Sequence, residues 1–527
     1  MNQSVLLIFL PIITSLIIYS FKNKLILSFI FINQIILSII AYNTYFNVLE
    51  NGEYKIVFGG YSNVIGIQIR VDMLASAFII LAVIIWWAVL LYSLEKIKKD
   101  HTFGFFLLFL EGVFLGFIQA NDFFTVFVFI ELITILATIL IVYKKDGHSI
   151  RAGFYYLLFN STGMMFYLLG LALLYRTTGT LNIELSQQIL PKLNMNFGVQ
   201  LAYVLMVASL GVKSAFFPVY NWLPKAHGAA PSSISALLSG LLVKSGVYAF
   251  IRIGLAFDTA ILNDFFLYIG LLTSLGGTIF AISQKDLKQL LAFSTISQMG
   301  IMIIGVSTLS GYGFIGGVYH MFSHAFFKAI LFLSSGYIIV NAKERRVTEI
   351  RGVFKTYPGM SILMILGLLS MVGFPMFGGY ISKDIVKYSV KDFGLAYFLF
   401  SIANIGTIIY TLKIMQIFRG EKKEYKKDFK VYIGLLILTI PSILLGLNPL
   451  FIESIFRVRL VGFFGEFNFR YILEFLGYFG FGFIIYKIYV ENEHPIFKKL
   501  RHFNITFETS VFMLIGFVFS MIVYIYI

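Results

Sequence analysis

Residues 205–250 read LMVASLGVKSAFFPVYNWLPKAHGAAPSSISALLSGLLVKSGVYAF. Two apolar runs meet around a polar, proline-containing centre, and each carries a lysine, Lys213 in the first and Lys244 in the second. Pro218 follows five positions after Lys213, where its ring and missing N–H stop a helix. Both lysines lie too far from a charged end to be simple snorkelling residues. A chain crosses a hydrocarbon core of about 30 Å with about 20 apolar residues in helix, and these runs have that length. A break inside such a core frees carbonyls that only a protein-lined or wet site satisfies.

The rest of the chain repeats the pattern. Of 527 residues 59% are hydrophobic and 13% charged, against roughly 25% charged in a soluble domain, and mean hydropathy is +0.87. So little polar material excludes a soluble enzyme, a nucleic-acid-binding protein, a disordered chain and a coiled coil. The expected fold class is all-α, a polytopic membrane protein of about 16 transmembrane helices. The first run, near 4–20, lacks the basic start and cleavage site of a signal peptide and reads as a true helix. Others fall near 200–220, 231–256 and 360–388, and the last near 508–526. Residues 51–71, with a Gly59-Gly60 turn, read as an extramembrane hairpin. No linker separates soluble domains, so 1–110, 111–256, 257–418 and 419–527 read as parts of one membrane body.

Zero cysteine removes disulfides, thiolate metal sites and Fe–S ligation, so no cofactor is expected in this chain and any redox centre belongs to a partner. The net charge of +15 sits in short clusters between apolar runs, which argues for the bilayer and against nucleic acid. Odd-numbered loops hold roughly 25 Lys and Arg and even-numbered loops roughly 10. Dense clusters lie at Lys96–Lys99, Lys343–Lys355 and Arg419–Lys430. Odd loops should therefore face the cytoplasm, with the N-terminus outside the plasma membrane.

Ionisable groups within spans are functional candidates by default, because each costs at least about 2.5 kcal/mol at the bilayer centre. Glu131, in FFTVFVFIELITILATIL, lies midway along its run with no basic residue before Lys144; Glu111, in FLLFLEGVFLGF, is a weaker second carboxylate, and His227 a weaker neighbour of the central break. Lys213 and Lys244 are ammonium groups whose proton affinity burial reduces readily; a static Glu–Lys pair is the alternative. In GVYHMFSHAFFKAILFL, His320, His324 and Lys328 recur every four residues and form one polar stripe on a helix. Neutral imidazole both donates and accepts, so the stripe suits proton relay. A metal site is the rival, but lysine is a poor ligand and no third ligand is evident. In SMVGFPMFGGYISKDIVKYSV, Pro375, Gly378 and Gly379 interrupt a run just before Lys383 and Asp384; discontinuous helices with adjacent charges mark ion sites in transporters, although a loop with a solvated Lys-Asp pair would read the same way. Each half thus ends on a lysine beside an interrupted helix, the weak symmetry of repeated bundles. If runs 5 and 10 start equivalent units, an odd number of crossings separates them and their topology is opposite.

Glu131 in FVFIEL, Lys213 ahead of FFPVYNWLPKAHGAAPSSISALLSG, Lys285-Asp286-Leu287-Lys288 before LLAFSTISQMG, the His320/His324/Lys328 series and GGYISKD together resemble the antiporter-like subunits shared by respiratory complex I, Mrp-type cation/proton antiporters and membrane-bound hydrogenases. The resemblance covers about 72–418. It implies two inverted five-helix repeats with broken helices, inside a complex with other membrane subunits and in some cases a peripheral redox arm. It also implies a pairing of Glu131 with Lys213 and a hydrated axis through Lys244, His320, His324 and Lys328 to Lys383. The function so implied is ion translocation, of H+ alone or in exchange for Na+. A stand-alone secondary antiporter and a structural subunit without its own ion path are the other readings.

Overall fold

The computed structural model describes residues 3–21, 25–62, 64, 66–193, 196–257, 262–308, 311–421, 429–448, 450–460, 469–503 and 505–527. Helices α1 (Gln3–Ser20) and α2 (Ile26–Asn51) lead into a two-stranded antiparallel hairpin, β1 (Tyr54–Val57) and β2 (Gln68–Val71), with Tyr54 opposite Val71. Then come α3 (Met73–Lys99), α4 (His101–Gln119), α5 (Phe123–Val142) and α6 (Gly147–Thr178). The centre comprises α7 (Ile183–Ile189), α8 (Phe197–Lys213), α9 (Trp222–Ala229), α10 (Ser232–Leu237), a π-helical turn over Leu238–Leu242, and α11 (Lys244–Phe257). Next are α12 (Asn263–Ser283), α13 (Leu287–Val306), α14 (Gly311–Ala342), α15 (Val353–Thr356), α16 (Pro358–Val372), α17 (Gly378–Ser389) and α18 (Gly394–Met415). The chain closes with α19 (Phe429–Leu447), α20 (Leu450–Phe456), α21 (Phe469–Ile485), α22 (Pro495–Arg501) and α23 (Phe507–Tyr526). Of the basic stretch from Arg419 to Lys430, residues 422–428 lie outside the described residues.

Among the described residues, fourteen helices are long and apolar enough to cross a membrane, α10 and α11 counting as one through the π turn. Two of the runs read from the sequence are each split in two. The run near 200–220 ends as helix at Lys213, and α9 resumes at Trp222; that near 360–388 ends at Val372, and α17 resumes at Gly378.

The scarce aspartates are used to start helices. Asp72, Asp100, Asp122, Asp146 and Asp286 accept backbone N–H groups at the N-termini of α3, α4, α5, α6 and α13, satisfying donors that have no partner inside the helix.

The inverted repeat is written in the helix registers. Phe123–Val142 recurs 164 residues later as Leu287–Val306, and Gly147–Thr178 recurs at the same offset as Gly311–Ala342. The entry to each unit is tied to its second helix in the same way. Phe123 N donates to Leu181 O and Ile183 N to Asn121 O; Leu287 N donates to Arg345 O and Val347 N to Lys285 O. Between the two starts lie α5, α6, the broken α8/α9, α10–α11 and α12, an odd number of segments, the number expected of two units of opposite topology.

At the hairpin end, Asp72 also clamps the first unit. Arg252 on α11 gives it two hydrogen bonds, of 2.5 and 2.7 Å, and touches the Tyr248 hydroxyl, which donates to Ile118 O on α4. Burial alone would push the Asp72 carboxyl up. The Arg252 charge and hydrogen bonds, with the Ala75 N–H and Arg70, hold it well below the usual carboxylate range. Because the folded state lowers this pKa, the pair stabilises the protein above the ordinary carboxylate value of about 4, and that contribution is lost as pH falls toward the depressed one. Asp72→Asn, which keeps a capping oxygen but leaves Arg252 unpaired, should cost about 3 kcal/mol, seen as a lower thermal unfolding midpoint in detergent at pH 7.

Candidate functional site

The site begins where α8 stops. Lys213 is the last residue of α8 and is buried, at 2% exposure. Its ammonium donates to Thr134 Oγ1 on α5 at 2.7 Å and to the Tyr156 hydroxyl on α6 at 3.3 Å. Glu131 lies nearly one turn before Thr134 on the same helix. No ion pair within 4 Å joins the two: Glu131 Oε2 accepts from Ser161 Oγ at 3.0 Å, and Oε1 has no protein partner. The contact pair implied by the resemblance is therefore not formed: Lys213 takes the Thr134 and Tyr156 hydroxyls, and Glu131 the Ser161 hydroxyl. Pro218 lies in the connection between α8 and α9, where Phe217 N donates to Thr273 Oγ1 and the Trp222 indole N–H to Val212 O. The carbonyls and N–H groups exposed by the break thus find partners inside the protein.

Lys244 follows the π turn directly and donates to Ser239 O inside it at 2.7 Å. It also meets His324 Nδ1 at 2.8 Å. The neighbours of the two lysines pack closely: a Cβ on Gly246, two residues after Lys244, would stand 2.3 Å from the Oγ of Ser214, which follows Lys213 and has no partner.

The stripe on α14 is intact and wholly buried. Lys328 donates to Ser294 Oγ at 2.5 Å and Leu291 O at 3.1 Å on α13. Next to Ser294, Thr295 Oγ1 bonds Ser239 Oγ at 2.8 Å, linking this group back to Lys244. The His324 and His320 rings stand 6.2 Å apart. His320 bonds Gln298 Oε1 at 3.1 Å and Ser382 Oγ at 2.9 Å. Lys383, adjacent to Ser382, donates to Met371 O at 2.7 Å, at the carbonyl end of α16. That end carries partial negative charge, so the break stabilises the ammonium without a carboxylate.

The break around Pro375 is closely fitted. A Cβ on Gly379 would lie 1.8 Å from Ser370 O and one on Gly378 2.7 Å from Ser323 Oγ, so α17 is pressed against α16 and α14. Asp384 does not pair with Lys383; it lines a cavity of about 70 Å³ with Lys387, Glu474 and Asn404, where Lys387 and Glu474 form an ion pair of 2.6 Å. Glu111 is buried away from this series and accepts from Gln34 Nε2 on α2 at 2.6 Å. His227, on α9, stacks on Phe332 at 4.6 Å, and neither ring nitrogen has a protein partner. Among the described residues no three His, Asp or Glu side chains gather as a metal would need.

The structure adds groups not singled out from the sequence. Thr134, Tyr156, Gln298 and Ser382 are ordinary polar residues whose role depends on what faces them. Lys413 is buried on α18 and donates to Ile282 O at the end of α12 at 2.6 Å; its place in the apolar stretch TIIYTLKIM was a readable signal. Lys288 is buried and donates to Ala230 O at 2.9 Å, but at a helix start it reads as a solvated charge.

Residues 120–409 match the model of the family described as NADH:quinone oxidoreductase/Mrp antiporter, TM. The chain is 28% identical over 455 residues to a Na(+)/H(+) antiporter subunit of Alkalihalophilus pseudofirmus, covering 82% of this chain and 91% of that one. It is 30% identical over 382 residues to an NADH-quinone oxidoreductase subunit of Desulforudis audaxviator, covering 70% of this chain and 76% of that one. Its backbone superimposes with a TM-score of 0.81, at 27% identity, on a chain in the structure of the membrane-bound sulfane sulfur reductase, an archaeal respiratory membrane complex; 90% of this chain and 100% of that one are covered. With the family model matching more than half of the chain, this protein belongs to the membrane-spanning NADH:quinone oxidoreductase/Mrp antiporter family.

Proposed function

We propose that this chain is an ion-translocating subunit of a multisubunit membrane complex, and that protons move along the series Glu131, Lys213, Lys244, His324, His320 and Lys383, with Lys328 joined to it through Ser294, Thr295 and Ser239. The observation that carries this reading is the row of buried lysines and histidines itself: Lys213, Lys244 and Lys383 each beside a helix interruption, with hydroxyl, amide and imidazole contacts joining Lys213 to Thr134, Lys244 to His324 and His320 to Ser382. Unspent hydrogen-bonding capacity at Glu131 Oε1, Ser214 Oγ, Ser323 Oγ and His324 Nε2 marks polar seats suited to bridging water.

The coupling is electrostatic. A carboxylate at Glu131 favours the charged form of Lys213, and a proton on Glu131 or a shift of its side chain away from Lys213 withdraws that support. One pKa unit is about 1.4 kcal/mol, so a small displacement in a low-dielectric interior is enough to pass the proton on. No group in the series supplies energy. The driving force comes from a partner, either a redox arm or an opposing cation gradient, in keeping with the relatives named as antiporter and oxidoreductase subunits. We infer that Asp384, which lines the cavity beside Lys383 together with Glu474, marks the outer end of the series.

The test is transport by the complex in vesicles, followed with a pH-sensitive dye. Lys213→Ala and Glu131→Gln should each reduce proton translocation at least roughly tenfold, a loss of about 1.4 kcal/mol or more in the coupling, while the subunit still assembles. Assembled variants that still translocate protons would identify a scaffold.

We infer that the basic loops face the cytoplasm and the hairpin faces outward, in the plasma membrane. The absence of cysteine makes this direct to measure. A membrane-impermeant maleimide should label Ser62→Cys in intact cells, and Lys99→Cys only after permeabilisation; the reverse pattern would invert the topology.

A further inference from the structure

At the end of the bundle away from the hairpin lies a cavity of about 280 Å³, separate from the series above. Cations come to it from four segments distant in the chain: Lys96 at the end of α3, Lys144 between α5 and α6, Lys288 in the first turn of α13, and Arg345 after α14. Among the described residues no carboxylate lines it. Arg345 is paired with Asp286 at 2.7 Å, but Lys96, Lys144 and Lys288 have no carboxylate of the described residues within 4 Å. Lys96 is held over the rings of Phe103 and Tyr143, at 3.9 and 4.5 Å, and Lys288 on the Ala230 carbonyl. Burial, and next the Arg345 charge, reduce the hold of Lys144 on its proton. Asp286 answers one of these four charges by contact, and no carboxylate of the described residues touches the other three.

Two further features say what the counter-charge is. Ser93, only 3% exposed, lines the same cavity with a hydroxyl that has no protein partner, a donor available to an anion's oxygen. Beside the cations the wall turns apolar, with Ile339 and Val340 on α14, and Val340 is 71% exposed. A free anion has no use for that lip; an acyl chain running down α14 does. Basic pockets between transmembrane helices at the cytoplasmic level suit anionic headgroups, and ammonium and guanidinium groups bind phosphate by charge-assisted hydrogen bonds.

We propose that this cavity binds a phosphate, and that the phosphate belongs to the headgroup of an anionic phospholipid. It would bridge the ends of α3, α13 and α14 and the α5–α6 connection, fastening one end of both repeats.

The probe is phosphatidylglycerol. The complex, purified and stripped of lipid, is placed in nanodiscs of phosphatidylcholine with or without phosphatidylglycerol, and the lipid it retains is counted by native mass spectrometry. The wild-type protein should retain phosphatidylglycerol over phosphatidylcholine. The double variant Lys96→Ala, Lys144→Ala should retain it roughly tenfold more weakly, while Lys144→Arg keeps it. Wild-type protein without preference for the anionic lipid, or a double variant that binds as well as wild type, would overturn the site. Displacement of phosphatidylglycerol by inorganic phosphate at equal concentration would overturn the lipid assignment in favour of a free anion.

Discussion

An ammonium ion placed in a lipid-embedded interior must be solvated by the protein, and this chain does so almost without carboxylates. Lys383 rests on Met371 O at the end of α16, Lys413 on Ile282 O at the end of α12, and Lys244 on Ser239 O in the π turn. Lys213 and Lys328 take hydroxyls, from Thr134, Tyr156 and Ser294. The contrast with the clamp of Asp72 and Arg252 is informative. There a full ion pair, with two hydrogen bonds, locks helices together at the membrane edge. A carbonyl oxygen stabilises a charge through a partial dipole and remains a competent acceptor when the charge leaves, so a lysine held this way can gain or lose a proton without a stranded counter-charge. Helix interruptions, costly in lipid, are what provide such oxygens.

Much of this was legible in the sequence because lipid makes polarity conspicuous. Glu131, Lys213 and the His320/His324/Lys328 stripe stand out against apolar neighbours, and Pro218, Pro375 and the Gly378-Gly379 pair announce the breaks. Partners were not legible. Nothing in the spelling of Thr134 or Ser382 distinguishes them from other small polar residues, and the distance of Glu131 from Lys213 depends on how α5 and α8 pack. The burial of Lys288 was not legible either: it lies in the first turn of α13, and only the packing of that turn brings its ammonium onto Ala230 O, between α9 and α10.

The repeat was partly legible for the same reason. Residue types suggested only that both halves end on a lysine beside a break. What persists between the halves is backbone register: equal helix lengths, an aspartate cap at each entry, and the same pair of backbone hydrogen bonds back to the segment after the second helix. Those features depend on length and capping, which tolerate almost any apolar side chain, so the side chains have diverged while the geometry has not.

That divergence gives the series its polarity. At the common offset, Glu131 corresponds to Thr295, and Tyr156, Asn160 and Met164 on α6 correspond to His320, His324 and Lys328 on α14. Corresponding groups face corresponding breaks: Tyr156 accepts from the lysine at the first, and His320 bonds Ser382, next to the lysine at the second. The chemistry differs, however. The first unit places an acid and neutral hydroxyl and amide groups around its lysine; the second replaces the acid with a hydroxyl and lines its axis with imidazoles and a further ammonium. The acid is thus confined to the first unit, and the imidazoles and the further ammonium to the second, so two units alike in backbone register carry opposite kinds of titratable group.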